Sequence, residues 1–400
     1  MRVSIYSNAP WAPTGYGTQT AQLVDRLVGD GHEVIVIANY GLQAAVREWH
    51  GVLVYPGGPD AYQTWNVGPL HRAHAGDGPG LLLTLYDTWV LGPAFAGIAP
   101  IASWTPVDSI PLSPASQDWA LAPGRTNIAM SRFGERVFRA AGIPCDYVPH
   151  AIERVFRPTP SDVRRRMGVP EDAFLVAINA ANKGLPPRKA WVEMLDAFSA
   201  LASAHDDAYL YMHTDMTFPG GMHIGNWALT LGVPESRMRV ADQTEYRVMG
   251  AMPEEMAEVY TAADVLLATS KGEGFGIPVV ESMACGTPAI VTDFSAQPEL
   301  VGDTGWRVRW QKDPAWDRGT IMATPSVPGI VAALEAAYAE RGTARAAERS
   351  AAAVAKAAEY DADRVYAERW RPLLARIEAE AAAPPPRKRM SRGARRRRAA

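Results

Sequence analysis

Two glutamates eight positions apart, Glu273 and Glu281, frame the most chemically loaded stretch of this 400-residue chain. A carboxylate accepts hydrogen bonds from neighbouring hydroxyls, so two of them facing one pocket suit a polyhydroxylated ligand. Between them lie Gly274, Phe275, Gly276, Ile277 and Pro278. The glycines permit close approach to the backbone, and a helix start offers free N–H groups to an anion. The apolar run Val265-Leu266-Leu267-Ala268 predicts a short buried strand before the motif. Pro278 to Cys285 predicts a helix, opened by a proline and stopped by Gly286 and Pro288. Glu273 then lies in the loop at the helix mouth, and Glu281 lies about one turn in. Read as an isolated pair, the two fit solvated positions on a capped helix better than a binding pocket.

The elements that must position this pair can be read outward from it. Phe174 to Ile178 predicts a strand, and an amphipathic helix follows through Trp191, Met194, Leu195 and Phe198. The loop between them holds Lys183 and Lys189, two of the chain's six lysines, together with Arg188. Cations at a strand end and a helix start suit a diphosphate through charge-assisted hydrogen bonds. Near the start of the chain, residues 3–7 predict a strand, a helix follows through Ala21, Val24 and Leu27, and Val34 to Ile37 predicts the next strand. That is a β-α-β unit, with Gly15 and Gly17 in its first loop, where such sheets bind ligands. Two further strands end in Asp87 and Asp108, each a pocket candidate or a helix cap. Ala208 to Asp215 predicts another strand with a polar end, and Asp293 and Gln297 follow the strand after the motif. His150 reads as a structural or hinge residue.

The whole string Ser270-Lys271-Gly272-Glu273-Gly274-Phe275-Gly276-Ile277-Pro278-Val279-Val280-Glu281 resembles the E-x7-E motif of retaining glycosyltransferases of family 4. Tyr260-Thr261-Ala262-Ala263-Asp264 before it, Ser282 to Pro288 after it, and Pro298-Glu299-Leu300-Val301 extend the match. The resemblance implies a GT-B fold of the α/β class: two Rossmann-like domains facing each other across a cleft, with a C-terminal helix crossing back to the first. The implied bounds are 1–157 for an acceptor-side domain and 165–350 for a nucleotide-sugar domain, with 351–380 returning to the first domain. It implies transfer of a sugar, with retention, from a nucleotide-sugar co-substrate, UDP- or GDP-linked, and neither cofactor nor metal. Glu281 would hold the ribose hydroxyls, and Glu273 those of the transferred sugar. The amides of Gly274, Phe275 and Gly276 would line that sugar, and the loop of Gly15 and Gly17 would face the diphosphate. Lys189 matches the family's lysine by its distance to Phe198; for the family's arginine, Arg188 and Lys183 both stand near the place. The stretch Val248 to Met252, with Gly250, resembles the segment whose backbone reads the base. Many members carry a histidine where this chain has Asp108, which would take its place against the sugar.

Length favours two domains, and 48% hydrophobic with 21% charged residues is ordinary for a water-soluble globular chain. Two cysteines, Cys145 and Cys285, are too few for a disulfide framework. Met1 to Tyr6 reads as a strand instead of a leader, and the apolar region 81–104 is broken by Asp87, Pro93 and Pro100, so a cytoplasmic protein without a transmembrane segment is expected. Net charge is −3, yet residues 387–398 hold eight basic residues and no acid, beyond a triple proline at 384–386. This tail, expected to be disordered over 384–400, could contact a polyanion, whereas the acidic remainder does not look like a nucleic-acid groove. The pair Asp361 and Asp363 spells D-x-D but falls at a helix start and reads as solvated. A DNA-modifying glycosyltransferase that uses the tail, and a non-catalytic binding module on the same fold, are the alternatives. An epimerase or phosphorylase of like architecture would need a further catalytic carboxylate or a cofactor lysine, and neither is identifiable. The acceptor, whether glycan, lipid or protein, is left open.

Overall fold

The computed structural model describes residues 1–78, 80–248, 250–315 and 318–382, so the basic tail lies outside the described residues. The first half of the chain supplies β1 (Arg2–Asn8), β2 (Glu33–Tyr40), β3 (Arg47–Trp49), β4 (Val52–Pro56), β5 (Gly80–Leu85), β6 (Ile101–Thr105), β7 (Arg125–Ala129) and β8 (Asp146–Tyr147). They form one sheet in the order β3-β4-β2-β1-β5-β6-β7-β8, parallel except at the β3–β4 edge. β9 (Phe174–Asn179), β10 (Ala208–His213), β11 (Met238–Val240), β12 (Val265–Ala268), β13 (Ala289–Thr292) and β14 (Trp306–Val308) form a second sheet, ordered β11-β10-β9-β12-β13-β14. Helices cover both faces of each sheet, which is why β5 and β13 are buried along their whole length and read as unbroken apolar runs. Ligand crevices in such sheets form at the carboxyl ends of the strands. Both sets of strand ends meet here along one seam.

The seam is tight. A Cβ built on Gly272 would fall 2.1 Å from the carbonyl oxygen of Asp108, and one on Gly274 2.3 Å from Pro106 Cβ. Gly15 lies against Ile277 and Gly250 against Pro13, again one domain on the other. A hairpin of β15 (Trp310–Ala315) and β16 (Thr320–Pro325) reaches across, and Ile321 exchanges backbone hydrogen bonds of 3.0 and 2.6 Å with Ile110. Gly274 therefore accommodates the first domain at this point; ligand approach was the expected reason for a glycine there.

After the second sheet, helices Val327–Glu340 and Ala344–Ala357 are separated at Gly342, whose φ is +72°. The return to the first domain runs through a 3-10 turn, a short helix and a π-helical turn ending at Trp370, then the helix Arg371–Ala382. The D-x-D pair proves to be a docking element: Asp361 caps the short helix and binds Arg154 at 3.0 Å, and Asp363 binds Arg26 at 2.8 Å.

Candidate active site at the domain seam

The loop between β12 and the helix Ile277–Ala284 is shaped by Gly276, whose φ of +118° is open to few other residues. The helix begins one residue earlier than the sequence predicts. Glu273 sits in the loop, its backbone N–H donating to Ser295 Oγ at 2.9 Å. Its carboxylate receives Arg188 Nη1 at 3.0 Å on one oxygen and Lys189 Nζ at 2.5 Å on the other. Arg188 also donates to the carbonyl of Gly272, and its own carbonyl accepts the Lys271 N–H at 2.8 Å. The β9 loop and the motif loop are thus tied into one unit. Of the two candidates for the family's arginine, Arg188 stands in the seam and Lys183 is exposed to solvent.

Electrostatics within this unit follow from burial and charge. Burial alone would push the Glu273 carboxyl up, but Arg188 and Lys189 outweigh it and hold it at about 2. Burial lowers Lys189, and Arg188 beside it adds to that, against the pull of Glu273. Burial also opposes the charge on Arg188, which Glu273, Asp108 and Asp87 more than offset. The last two belong to the first domain. Asp108 pairs with Arg318 of the hairpin segment at 3.3 Å, and Asp87 accepts from Tyr16 Oη at 3.2 Å and Trp89 Nε1 at 3.3 Å. Desolvation, then the neighbouring Asp108 charge, raise Asp87 above its ordinary range.

Glu281 occupies a different setting. Asn179, at the end of β9, donates to Tyr260 Oη at 2.7 Å, and Tyr260 donates to Glu281 Oε2 at 2.9 Å. The Asn179 contact turns the phenol proton toward the carboxylate, leaving Oε1 for another donor. With no cation beside it to offset burial, Glu281 is pushed up to about 7.

The remaining expected residues fall around this centre. Gly17 gives its N–H to Thr14 Oγ1 at 3.0 Å, capping the helix Gly15–Gly29, so that amide is already engaged. The Phe275 side chain is buried in the seam between His150 and Tyr360, with ring centroids 5.5 and 5.4 Å away. His150 itself is enclosed against Trp104 and held neutral, lowered by burial to about 3. Gln297 donates to the carbonyl of Ser270 at 3.0 Å and supports the motif loop. Residue 249 lies outside the described residues. Sequence reasoning missed the Asn179–Tyr260 relay and the part of Arg318. A tyrosine twenty-one residues from Glu281 carries no local signal of that contact. Among the described residues no group of three or more His, Cys, Asp or Glu is placed to hold a metal, and no helix is long and apolar enough to cross a membrane.

Comparison with known proteins agrees with this picture. Residues 184–319 match the family described as Glycosyl transferases group 1. The chain is 30% identical over 193 residues to D-inositol 3-phosphate glycosyltransferase of Streptomyces scabiei, covering 46% of this chain and 42% of that protein. It is 27% identical over 179 residues to mannosylfructose-phosphate synthase of Agrobacterium fabrum, covering 43% and 37% respectively. The chain thus spans about two fifths of the curated relatives it matches. Among solved structures, sucrose-phosphate synthase from Thermosynechococcus elongatus superposes with a TM-score of 0.75 at 16% identity, over 95% of this chain and 100% of that one. HepE from Anabaena, solved in complex with UDP-glucose, superposes at 0.68 with 18% identity, over 94% and 100%.

Proposed function

We propose that this chain, which carries a glycosyl transferases group 1 domain on a GT-B fold, moves a sugar with retention from a nucleotide-sugar donor to a hydroxylated acceptor. The observation that carries the reading is the clamp of Arg188 and Lys189 on Glu273 at the domain seam. Both cations are held oriented before any ligand arrives, with Lys189 mostly buried and Arg188 half-buried, so little reorganisation is needed when charge develops beside them. In the reaction the bond from the anomeric carbon to the diphosphate oxygen breaks, and the acceptor oxygen bonds to that carbon on the same face. The departing phosphate takes the acceptor's proton, while Arg188 and Lys189 stabilise the charge it gains. No metal is required in this scheme, because the two cations do that work.

Glu273 can serve the sugar while holding its cations. Each carboxylate oxygen has two lone-pair directions, so one can accept a cation while the other accepts a sugar hydroxyl. Glu281, with Oε1 left open by Tyr260, is suited to the ribose diol. Asp108, one side of which is taken by Arg318, approaches the sugar from the first domain. UDP- and GDP-linked donors are the expected co-substrates, and the two free cysteines fit a cytoplasmic setting.

The test is thermal stabilisation and calorimetric binding with UDP-, GDP- and ADP-sugars, comparing the wild type with Glu281→Ala. One nucleotide should bind the wild type, and affinity should fall at least about tenfold in the variant, the loss of about one good hydrogen-bonded contact to a charged group. Absence of binding by every donor would remove the transferase reading.

A further inference from the structure

The acceptor class is written on the rim of the first domain. Because its β1, β2, β4 and β5 are parallel, their carboxyl ends share one edge of the sheet, the edge that meets the seam. Five large aromatic side chains are exposed on the segments that leave that edge: Trp11 after β1, Tyr40 at the end of β2, Tyr62 and Trp65 after β4, and Trp89 after β5. Trp65 is the extreme, at 72% exposure. The second domain contributes Phe218 and Trp227 as its exposed large aromatics among the described residues, and both lie away from the motif loop in sequence.

These segments are fastened to each other and to the candidate site. Trp11 Nε1 donates to the carbonyl of Gly41 at 2.9 Å, and the Ala9 N–H donates to that of Tyr40 at 2.9 Å. The backbone of Gly57 is bound to Ala38, and Asp60 accepts from the N–H groups of Thr64 and Trp65, so the Trp65 turn is held rigid. Tyr62 packs edge-on against Tyr86 at 6.3 Å, Tyr86 against Tyr16 at 5.8 Å, and Tyr16 donates to Asp87. Beside Trp11 an open surface groove is lined by Leu42, Gln43, Arg47 and Glu48.

Charge narrows the occupant. Residues 9–17, 40–66 and 86–95 hold a single lysine or arginine, Arg47, against Glu48, Asp60 and Asp87, and the second domain adds Arg318, whose guanidinium lies over the Trp89 ring at 5.8 Å. Around Trp11, Tyr40, Tyr62 and Trp65 these segments offer a phosphorylated acceptor, an anionic headgroup or a nucleic acid one arginine, adjacent to Glu48, where such ligands are held by clusters of cations. Rigid aromatic faces with polar rims suit instead the flat C–H faces and flanking hydroxyls of uncharged sugar rings. We propose that this rim binds a neutral oligosaccharide acceptor of several sugar units, stacked on the exposed aromatics, with its reacting end delivered past Asp87 to the seam. The inference rests on the transferase reading above and specifies its second substrate.

The test keeps the two apart. Calorimetry and tryptophan fluorescence would follow binding of malto-, manno- and cello-hexaose, with D-inositol 3-phosphate and a twelve-residue oligothymidylate as charged comparators and the bound nucleotide-sugar as internal control. At least one neutral hexasaccharide should bind the wild type, and Trp65→Ala and Tyr62→Ala should each weaken it about tenfold while nucleotide-sugar affinity stays within about twofold. Trp65→Phe should restore most of the loss, which a collapsed loop would not. The proposal is overturned by binding of the charged comparators alone, by neutral-sugar binding that both alanine variants leave intact, or by no binding from any hexasaccharide while the nucleotide-sugar still binds. Loss of nucleotide-sugar binding in the wild type would instead strike the transferase reading.

Discussion

Glu273 and Glu281 carry the same functional group, yet their surroundings drive them in opposite directions. Two cations hold Glu273 ionised down to about 2, whereas burial with only a phenol for company lifts Glu281 to about 7. The signs have different consequences. A Glu281 pKa raised above the ordinary 4.5 means the folded protein binds the proton more tightly than the unfolded chain. Its contribution to stability is therefore present below that value and is lost as pH rises toward 7. Hydroxyl groups of a donor need the ionised carboxylate, so binding runs the other way. Nucleotide-sugar affinity should climb between about pH 6 and about pH 8, and Glu281→Gln should flatten the climb while gaining stability over the same window. A nucleotide-sugar is the right probe, since its diphosphate is doubly esterified and does not titrate there. An affinity independent of pH in the wild type would show that no titration of Glu281 in this window governs donor binding. Glu273→Gln removes the nearest counter-charge of Arg188 and Lys189 and leaves only Asp108 and Asp87 near them; it should cost up to about 3 kcal/mol of stability, and more activity than stability loss explains. Its own linkage has the ordinary sign: the stabilisation is present above 4.5 and fades as pH falls toward about 2.

At the scale of elements, one contact across the seam joins a carboxylate of one domain to a helix start of the other. Glu299, on the helix Gln297–Val301 of the second domain, accepts the N–H groups of Arg132 at 2.8 Å and Phe133 at 3.0 Å. Those open the helix Arg132–Ala140 of the first domain, so a carboxylate from one domain caps a helix of the other, where a negative charge is favoured. Phe133 and Phe294 pack beside the cap with centroids 5.4 Å apart. Glu299→Ala should destabilise the closed arrangement by about 1 kcal/mol, seen as a larger radius of gyration in X-ray scattering and a raised KM. A variant with unchanged scattering and unchanged KM would remove Glu299 from domain closure. This cap also shows what a sequence carries and what it does not. The strands and the motif helix were legible because their apolar runs, Pro278 and Gly286 act locally. The clamp was legible in part: cations at a strand end announce an anion partner, but that Arg188 meets Glu273 while Lys183 faces solvent is decided by the fold. Glu299 and Arg132 stand 167 positions apart and Tyr260 and Glu281 meet across two elements, and such pairings leave no periodic trace. The glycines were legible as close approaches, but the approaching group at Gly274 is Pro106 of the other domain.

Across the whole molecule, the domains share one apolar core as well as a seam. Trp104 of β6 packs edge-on against Trp370 at 4.9 Å and against His150 at 4.4 Å, while Phe275 of the motif loop meets Tyr360. The returning chain thus lays Tyr360 and Trp370 under the residues that shape the site. Ion pairs then fasten it to the first domain: Arg371 to Asp30 at 2.8 Å and Arg376 to Asp146 at 2.5 Å. The pairs are largely exposed and each adds little. The buried indole carries most of the attachment. Trp370→Ala should cost about 3–5 kcal/mol, the range for deleting a large buried aromatic, because Trp104 and the sheet beneath it cannot collapse into the space. The loss should reach both domains, since the cluster belongs to both. Calorimetry of the wild type should give a single cooperative transition. In the variant, that transition should move down as a whole, with weaker nucleotide-sugar binding although residue 370 touches no ligand in the proposed scheme. Arg371→Ala, which removes only a surface pair, should leave both nearly unchanged. Two separate transitions in the wild type, with the variant altering only the one from the first domain, would show that the terminal segment is an accessory of that domain and not the strap that sets the seam.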